Sequence, residues 1–387
     1  MPNVPPLRFP EFSGEWEKCQ LQQIASISKG SGISKEQLSD AGEPCILYGE
    51  LYTKYKSEVI DEVISKTNID STHLIRSLKN DVIIPSSGET AIDISTARCV
   101  PYDNILLGGD LSIIRLKEQD GRFFSYQLNG VRKPDIAKVA QGVSVVHLYG
   151  DSHSKLLVSY PTLKEQYKIA DFLHKLDQRI ATQIRVIEDL QTLKKAIIER
   201  GYNAGGKVHK IGELIEQVSK RNKSNDYPVL SVNNRLGFIE QADQFEDRTV
   251  ASDDTSNYKV VSTNDFAYNP ARINVGSIAR LKDRTNGIVS PMYVCFRTKD
   301  KLLPEYMEHF FDTTYFKHEM FKRLEGSVRL CLSYEGLCNI SMSIPSIEEQ
   351  KKLSNRLSAI EQKIQLESTL LEKFKSQKMY LLQQMFI

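Results

Sequence analysis

Two long stretches of the chain repeat apolar residues at the three-to-four spacing of an amphipathic helix. The first begins after Thr162 and the second after Ser346, and each continues for about 37 residues without Pro or Gly. The apolar seam of the first consists of Ile169, Leu173, Leu176, Ile180, Ile187, Leu190 and Ile197, and that of the second of Leu353, Leu357, Ile360, Ile364, Leu371, Phe374, Leu381 and Met385. At about 1.5 Å per residue, each stretch predicts a rod of about 55 Å, whose apolar seam needs a packing partner.

Polar residues interrupt both seams at equivalent places. Gln183 and Lys194 stand in the first seam where Glu367 and Lys378 stand in the second. Polar residues at such positions commonly fix the register and orientation of paired helices at some cost in stability. We therefore interpret them as residues that specify how the helices pair, the alternative being that they lean toward solvent.

Both helices begin with the same sequence box. Residues 161–166 read PTLKEQ and residues 345–350 read PSIEEQ. In each box a Thr or Ser precedes a Glu by three residues. This spacing predicts a capping box, in which each of the two side chains bonds the backbone N–H of the other residue.

The boxes lie 184 residues apart, and the same offset aligns other features of the chain. It pairs Asn80-Asp81 with Asn264-Asp265, and Pro44 with Pro228. A fixed offset of this kind indicates an internal repeat. We expect two copies of one unit, each a mixed region followed by a long helix, with the two helices packed on one another about a pseudo-twofold axis.

The mixed regions predict an α+β fold, because short β-branched and aromatic runs bounded by turn residues indicate strands. The predicted strands are Cys45–Tyr48, Asp81–Pro85, Leu111–Leu116, Val229–Val232, Asp265–Tyr268 and Tyr293–Arg297, and the predicted shorter helices lie at about 122–130, 134–140 and 304–323. Residues 201–206, GYNAGG, predict the end of the first long helix and a flexible hinge. The expected division is 1–160, 161–203, 204–344 and 345–387.

Composition is that of an ordinary globular protein. The chain has 51 basic and 49 acidic residues, so its net charge of +2 lacks the basic excess usual in a DNA-binding domain. Because the sequence has neither a run of about 18 apolar residues nor an apolar secretory signal, we expect no membrane association and a cytoplasmic location. The six cysteines are scattered, without a Cys-x-x-Cys pair, which favours reduced thiols.

Three features of the sequence are similar to a known protein family. The opening Asn3–Trp16, NVPPLRFPEFSGEW, is similar to the family's N-terminal signature; the boxes at 161–166 and 345–350 and the helix body Ile169–Ile180 follow its pattern. Together with the repeat, they make the whole chain resemble the specificity subunits of type I restriction-modification systems. Gln22 departs from the pattern, since many members have Gly there.

The resemblance implies two target-recognition domains, at 1–160 and 204–344, each reading one half of a split, asymmetric sequence in double-stranded DNA. It also implies that the two helices form an antiparallel coiled coil that holds the domains at a fixed spacing. Two modification subunits, which bind S-adenosylmethionine and methylate adenine, would attach along the helices, and motor-nuclease restriction subunits would join them. The chain itself would be a non-catalytic recognition subunit without a cofactor or metal.

Recognition of DNA needs phosphate contacts for position and base-edge contacts for sequence. Two loops in equivalent places offer the first kind, at residues 29–32 and 220–224. Their candidate phosphate contacts are Lys29, Ser31, Lys220, Arg221 and Lys223. A solvated surface turn is the alternative interpretation of both loops.

Base reading favours Arg for guanine and Asn or Gln for adenine. In the second copy the candidates at predicted strand ends are Asn233, Asn234, Arg235, Arg272 and Asn274. In the first copy similar places hold Tyr52, Lys54, Ser86, Ser87 and Thr90. A scaffold role stays open for each single residue, so the prediction concerns the loops.

The sequence contains none of the common motifs of catalysis. There is no P-loop and no His pair at metalloprotease spacing, and residues 269–272, NPAR, lack the second Pro and the aromatic of the amino-methyltransferase motif Asn-Pro-Pro-aromatic. Two alternatives stay open: a coiled-coil scaffold that binds only proteins, and a part of a fused methylase-nuclease. DNA capture in the presence of a matching methyltransferase tests the first, and S-adenosylmethionine binding tests the second.

Overall fold

The computed structural model describes residues 3–140, 146–147, 153–223, 227–234, 236–241, 254–327 and 329–387. The chain forms two compact units: unit 1 is Met1–Arg185 with Ser368–Ile387, and unit 2 is Val186–Glu367. Each unit therefore contains a part of both long helices. The four-part division, in which the helices are segments of their own, stays a prediction.

Unit 1 contains short strands and helices before the long helix. The strands are β1 (Glu17–Gln20), β2 (Ala25–Lys29), β3 (Leu38–Ser39), β4 (Glu43–Ile46), β5 (Ser65–Thr67), β6 (Asp81–Pro85), β7 (Ser87–Gly88), β8 (Arg98–Val100), β9 (Leu106–Leu107), β10 (Leu111–Leu116), β11 (Val146–His147) and β12 (Leu157–Tyr160). The helices are α1 (Leu21–Ile24), α2 (Glu50–Thr53), α3 (Ala91–Ile94), α4 (Gly121–Asn129) and α5 (Lys133–Lys138), with a 3-10 turn at Lys35–Gln37.

Two four-stranded sheets organise unit 1. One is antiparallel in the order β2-β10-β6-β8, and the other has the order β3-β5-β4-β9 with β4 and β9 parallel. Strand β6 is buried along its whole length, which explains why its sequence is a nearly continuous apolar run rather than an alternating one. Phe123 and Phe124 of α4 join the core that includes Val82 and Ile84 of this strand.

The long helix α6 (Leu163–Asn203) leads to the elements of unit 2. The strands are β13 (Lys207–Lys210), β14 (Ile215–Gln217), β15 (Val229–Asn233), β16 (Gly237–Glu240), β17 (Lys259–Ser262), β18 (Phe266–Tyr268), β19 (Ile278–Arg280), β20 (Asn286–Val289), β21 (Val294–Thr298) and β22 (Ser341–Ile344). The helices are α7 (Ile211–Leu214), α8 (Pro304–Phe310), α9 (Thr314–Phe321), α10 (Tyr334–Cys338) and the second long helix α11 (Ile347–Gln384), with a 3-10 turn at Ile273–Val275.

The sheets of unit 2 repeat the pairing of unit 1. One sheet has the order β14-β21-β18-β19, and the other has β16-β15-β20-β17 with β15 and β20 parallel. This pattern confirms the predicted internal repeat and the α+β class. The strand predicted at Cys45–Tyr48 ends at Ile46, and the three strands predicted in unit 2 each differ by one residue at one or both ends. The helix predicted at 304–323 is two helices. Thr313 separates them because its hydroxyl oxygen accepts a hydrogen bond from the Phe316 N–H, 3.0 Å away, and so starts α9.

The repeated Asn-Asp pair turns the chain into the equivalent strands β6 and β18. Asn80 and Asn264 adopt left-handed φ values of 81° and 71°, which Asn tolerates better than most residues. Asp81 is buried, accepts from the Leu78 N–H at 2.8 Å and pairs with Arg115 at 2.7 Å. The second copy repeats these contacts with Ser262, Asp265 and Arg297, at 2.8 and 3.0 Å.

The two helix-start boxes differ in the role of their Glu. Glu349 forms the predicted capping box, since it accepts from the Ser346 N–H at 3.1 Å and the Ser346 hydroxyl accepts from the Glu349 N–H at 3.4 Å. The side chain of Glu165 instead accepts two hydrogen bonds of 2.7 Å from Arg8. The predicted capping box is therefore wrong for the first copy, because a bidentate arginine holds its carboxylate.

The last residue of each box is a buried glutamine that ties the long helix to a shorter one. Gln166 accepts from the N–H of Asp120, the residue that precedes α4, at 3.0 Å. Gln350 does the same for Leu303, which precedes α8, at 2.9 Å. The two contacts satisfy backbone groups that a helix start leaves without partners.

In unit 1 the first turns of α6 and the last turns of α11 run antiparallel. Asp177 faces Lys378 at 2.5 Å, and Arg179 lies over the ring of Phe374 at 4.6 Å, so residue numbers rise along one helix as they fall along the other. Lys378 also pairs with the buried Glu58.

In unit 2 the last turns of α6 and the first turns of α11 also run antiparallel. Lys194 pairs with Glu361 at 2.7 Å and with Asp312 at 3.4 Å. Gly201 follows on α6, where an added Cβ would lie 2.6 Å from a methyl carbon of Leu353. The packing of both units confirms the predicted antiparallel pairing of the long helices.

The predicted hinge begins later than expected. Gly201 lies within α6, which continues to Asn203, and its missing side chain permits the close approach of Leu353. The left-handed φ values of 94° and 156° belong to Gly205 and Gly206. Within the described ranges no helix is both long enough and apolar enough to cross a bilayer.

Candidate nucleic-acid interface

Unit 2 contains a cleft of about 440 Å³ where separate segments of the chain meet. Strand β15 forms one wall, the turn after β18 forms the second, and the segment before β21 forms the third. The lining residues are Val229, Leu230, Ser231, Val232, Asn233, Asn234, Gln241, Tyr258, Asn269, Arg272, Ser277, Ser290, Met292 and Tyr293.

This cleft brings together predicted base readers from distant parts of the sequence. Asn233 and Asn234 come from the end of β15, and Arg272 comes from the turn after β18. Asn274 lines an adjoining cleft of about 550 Å³, which Asn233 and Asn234 also line. Arg235 lies outside the described residues.

Hydrogen-bond donors and amides dominate the first cleft. Its described lining includes no carboxylate, and Arg272 is its one charged side chain. Arg272 is exposed and, among the residues that the structure describes, pairs with no acid. Amides and a guanidinium without a competing carboxylate match the acceptor-rich edges of purine bases.

The predicted basic loop at 220–223 is fixed beside this cleft. Asn222 is buried, its N–H donates to the Tyr258 carbonyl at 2.9 Å, and its side chain donates to the Thr255 hydroxyl at 3.3 Å. Lys220, Arg221 and Lys223 are exposed around it, and Tyr258 lines the cleft. Arg221 also donates to the Asn257 carbonyl. Side chains of this loop thus offer cations at the rim.

Unit 1 brings the equivalent loops together with different side chains. Helix α2 follows β4, as Asn234 follows β15, and it carries Tyr52. The Tyr52 hydroxyl lies 3.7 Å from where a Cβ on Gly88 would stand, so the loop after β4 meets the loop after β6. Partial burial, with the nearby Tyr48 and the Asp93 and Glu89 carboxylates, raises the pKa of Tyr52, which therefore stays a neutral hydroxyl.

The predicted Ser and Thr readers of unit 1 make internal hydrogen bonds. The buried Ser86 hydroxyl bonds that of Ser112 at 2.8 Å, and the Ser87 hydroxyl donates to Asp110 at 3.0 Å. Thr90 starts α3 by accepting from the Asp93 N–H at 3.1 Å. These contacts shape the loop after β6.

The turn at residues 29–32 differs from an open phosphate cradle. The Gly30 N–H donates to Leu111 and the Ser31 N–H to Leu107, at 2.9 and 3.0 Å. The Ser31 hydroxyl accepts from the Ile75 N–H at 2.8 Å. Lys29, at the end of β2, is exposed and pairs with no acid in the described ranges.

Lys54, the other predicted cation of unit 1, is tied to its own helix. Its ammonium donates to Glu50 at 2.7 Å and to the Ser65 hydroxyl at 2.9 Å. Lys29 is therefore better placed than Lys54 to meet a phosphate.

Sequence reasoning missed Asn269 and Tyr258 as parts of the cleft. Asn269 is the first residue of the NPAR segment, which does not match the methyltransferase motif. Its position directly after β18 was the signal that could have identified it as part of the cleft. Tyr258 follows the segment 242–253, which lies outside the described residues, and no sequence pattern indicates it.

Comparison with known proteins assigns the architecture. Residues 13–191 and 206–376 match the model of the type I restriction modification DNA specificity domain, one match for each copy of the repeat. The chain belongs to this family. The matches cover most of the sequence and confirm the resemblance of its boxes and helix body.

Individual relatives of this specificity subunit support the same family assignment. The chain is 24% identical over 420 residues to the type I restriction enzyme MjaVIII specificity subunit of Methanocaldococcus jannaschii, covering 97% of this chain and 93% of the relative. The crystal structure of a type I restriction-modification S subunit from M. genitalium has a TM-score of 0.65 at 15% identity, covering 99% of both chains. A chain from a structural study of the assembly and conformational transition of the type I R-M system has a TM-score of 0.56 at 14% identity, covering 97% and 98%. The two solved structures share the fold.

Proposed function

We propose that each unit of this specificity subunit reads one half of a bipartite, asymmetric DNA site. The observation that carries the proposal is the cleft of unit 2, where Asn233, Asn234 and Arg272 converge from separate segments without a carboxylate among the described lining residues. Arg offers paired donors to guanine, and Asn offers a donor and an acceptor to adenine. Such a cleft suits base edges in the major groove.

Phosphate contacts would position the duplex over the loops of unit 1 and the cleft of unit 2. Lys220, Arg221 and Lys223 border the cleft of unit 2, and of the two predicted cations of unit 1, Lys29 is the one that pairs with no acid in the described ranges. A cation that meets a phosphate adds affinity without sequence information. We propose these four residues as phosphate contacts.

The loops of unit 1 and the cleft of unit 2 would read different half-sites. Unit 1 offers Tyr52 and the loop of Ser86, Ser87 and Thr90, whereas unit 2 offers amides and a guanidinium. A chain with two unlike reading surfaces suits an asymmetric sequence, and the antiparallel long helices would hold the two readers at a fixed spacing. Asn274, in the adjoining cleft, belongs to the same proposal. Lys54 does not, because its ammonium already donates to Glu50 and to Ser65.

Chemistry would come from partners rather than from this chain. We propose that two modification subunits dock along the long helices and methylate adenine with S-adenosylmethionine, and that restriction subunits join them on double-stranded DNA. We assign no catalytic residue, cofactor or metal to this chain, and we place its work in the cytoplasm. Its net charge of +2 suggests that the partners supply much of the attraction to phosphates. The isolated chain would then bind DNA weakly with a shallow salt slope.

The test is sequence-resolved methylation by the chain together with its modification subunits on a randomised DNA library. Arg272→Ala should relax one base position, because a paired hydrogen bond supplies about 1–3 kcal/mol of discrimination. Arg329→Ala is the matched control, since Arg329 is exposed and does not line the cleft. An unchanged methylated motif with Arg272→Ala would contradict the proposed site, and nanomolar binding of the isolated chain to its site in 150 mM salt would contradict the role given to the partners.

A further inference from the structure

Asn269, like Asn233, is an amide of the unit 2 cleft whose side-chain oxygen accepts from a backbone N–H. It is 9% exposed and lies at the turn after β18. The Ala271 N–H donates to its side-chain oxygen at 3.1 Å. Because an N–H can only donate, the partner atom must be the oxygen, and the amide cannot rotate without losing this bond.

The remaining polar group of the side chain is its NH₂. Asn269 lines the cleft together with Arg272, whose own N–H donates to the Asn269 carbonyl at 3.0 Å, so both side chains leave the same turn. A guanidinium has only donors, and the NH₂ of Asn269, unlike its oxygen, has no hydrogen-bond partner among the described residues. This wall of the cleft therefore favours a ligand that presents hydrogen-bond acceptors.

Base edges differ in how many acceptors they present in the major groove. Guanine presents two, N7 and O6, whereas adenine and thymine each present one, and cytosine presents a donor. A free Asn recognises adenine because it offers both a donor and an acceptor. The bond to Ala271 occupies one lone pair of the Asn269 oxygen and turns that oxygen toward the backbone, so the NH₂ is the group that has no partner among the described residues.

We propose that Asn269 is a specificity-determining residue that, with Arg272, makes unit 2 require a guanine in its half-site. The inference rests on the proposed function of the cleft and adds the base class that one wall selects. Phosphate oxygens are also acceptors, so a backbone contact is the competing outcome of the test.

Two variants separate base reading from a structural role. Asn269→Asp keeps the shape and the oxygen that Ala271 needs but replaces the NH₂ with an acceptor, which should repel guanine. Asn269→Ser keeps an oxygen for a backbone N–H but has no NH₂ for the cleft. Asn339→Asp is the matched control, because Asn339 is exposed outside the cleft and its side-chain oxygen already accepts from Lys210.

The experiment measures methylated sequences in a randomised DNA library with the chain and its modification subunits, together with thermal unfolding of each variant. The half-site of unit 2 is the half that Arg272→Ala relaxes. We expect a guanine there, a preference for it that falls about tenfold or more with Asn269→Asp, and a weaker preference without reversal with Asn269→Ser. Unfolding temperatures should stay within a few degrees of the parent.

Three results would overturn the inference: a unit 2 half-site without guanine, an Asn269→Asp motif identical to the parent motif, or a loss of methylation that is equal for all sequences, which indicates a phosphate contact. Failure of the proposed function looks different. In that case the parent complex shows no sequence preference, or Arg272→Ala changes neither half-site.

Discussion

Units 1 and 2 share a backbone frame but stabilise their long helices differently. The seam cation of unit 1, Lys378, pairs with Asp177 and Glu58, both of which are buried. The equivalent cation of unit 2, Lys194, pairs with Glu361 and Asp312, whose side chains are 35% and 53% exposed. The equivalent lysines therefore pair with buried carboxylates in unit 1 and with partly solvent-exposed carboxylates in unit 2.

A second difference lies beside these ion pairs. In unit 1 the Tyr126 hydroxyl donates to Asp177 at 2.7 Å. In unit 2 His309 faces Glu361 at 3.7 Å from the equivalent short helix. Burial and the nearby carboxylates raise the pKa of Tyr126, whereas burial lowers that of His309. The repeat thus preserves the positions at which a short helix contacts the long helices, whereas the side chains that form each contact differ between the units.

Removal of the seam lysines should give the largest contrast. Lys378→Met leaves two buried carboxylates without their cation and should lower the free energy of unfolding by about 3–5 kcal/mol. Lys194→Met leaves partly exposed acids and should cost about 1 kcal/mol or less. Trp16 is the one Trp of the chain and is buried in unit 1, so its fluorescence in a urea titration reports on that unit, and hydrogen exchange of α8 reports on unit 2.

The control for that contrast is Lys375→Met, because Lys375 is exposed on the same helix as Lys378 and, among the described residues, pairs with Glu372 alone. It should change the free energy of unfolding by less than about 0.5 kcal/mol. Equal losses for Lys378→Met and Lys194→Met would show that burial of the partners does not decide the effect.

Replacement of the two box glutamates tests the difference at the helix starts. Glu165→Gln loses the charge that holds Arg8 and should cost about 2–3 kcal/mol, since Glu165 is buried. Glu349→Gln should cost less than about 0.5 kcal/mol, because Gln serves in a capping box as Glu does. Trp16 fluorescence measures the first and thermal circular dichroism the second, and similar costs would contradict the distinct roles.

Acid should destabilise unit 1 through His153. Burial alone lowers the pKa of His153 from 6.5 to about 4. The unfolded chain then binds more protons than the folded one between these values, so stability is full above pH 6.5 and is lost as pH falls toward 4. The expected loss between pH 7 and pH 5 is about 2 kcal/mol.

The variant His153→Gln should flatten this part of the pH profile, again followed by Trp16 fluorescence. In unit 2 the carboxylates of Glu361, Glu308 and Asp312 oppose the effect of burial on His309. His309→Gln should therefore flatten the profile less. A pH profile that His153→Gln leaves unchanged would contradict the buried neutral imidazole.

The smallest expected effect concerns the proposed phosphate contacts. In the complex with modification subunits, Lys29→Ala in unit 1 and Lys223→Ala in unit 2 should each weaken binding of all DNA sequences and lower the salt slope by about 1. Lys54→Ala is the control, because its ammonium is held by Glu50 and Ser65. A change in the methylated motif with either lysine variant would instead indicate base reading.

Patterns that extend over many residues allowed the repeat and the pairing of the long helices to be predicted from the sequence. The 184-residue offset and the helical seams led to the repeat and the antiparallel pair, and the strands at Asp81–Pro85 and Leu111–Leu116 have the predicted bounds. The seam lysines were recognised as interruptions, but their partners were not. Asp177 and Glu361 share the same offset, so a search for complementary charges at equivalent positions would have found them.

Local contacts that depend on distant segments escaped prediction. Nothing near Glu165 in the sequence indicates that Arg8 takes its carboxylate, and nothing near Ser86 indicates a bond to Ser112. The reading loops were predicted as regions, and the structure gathers Asn233, Asn234 and Arg272 in one cleft. Asn269 was passed over because its role depends on a hydrogen bond two residues away, which composition and spacing do not reveal.

The seam ion pairs are reciprocal, since each copy of the long helix supplies one cation and one carboxylate to the other copy. A reversal of one of these charges in one helix alone would leave its partner, which lies far away in the sequence, without an opposite charge. Duplicated segments ordinarily drift apart once each is free to change. At the buried pair of Asp177 and Lys378 we therefore expect the two helices to change together, whereas the loops that would read DNA have no such constraint.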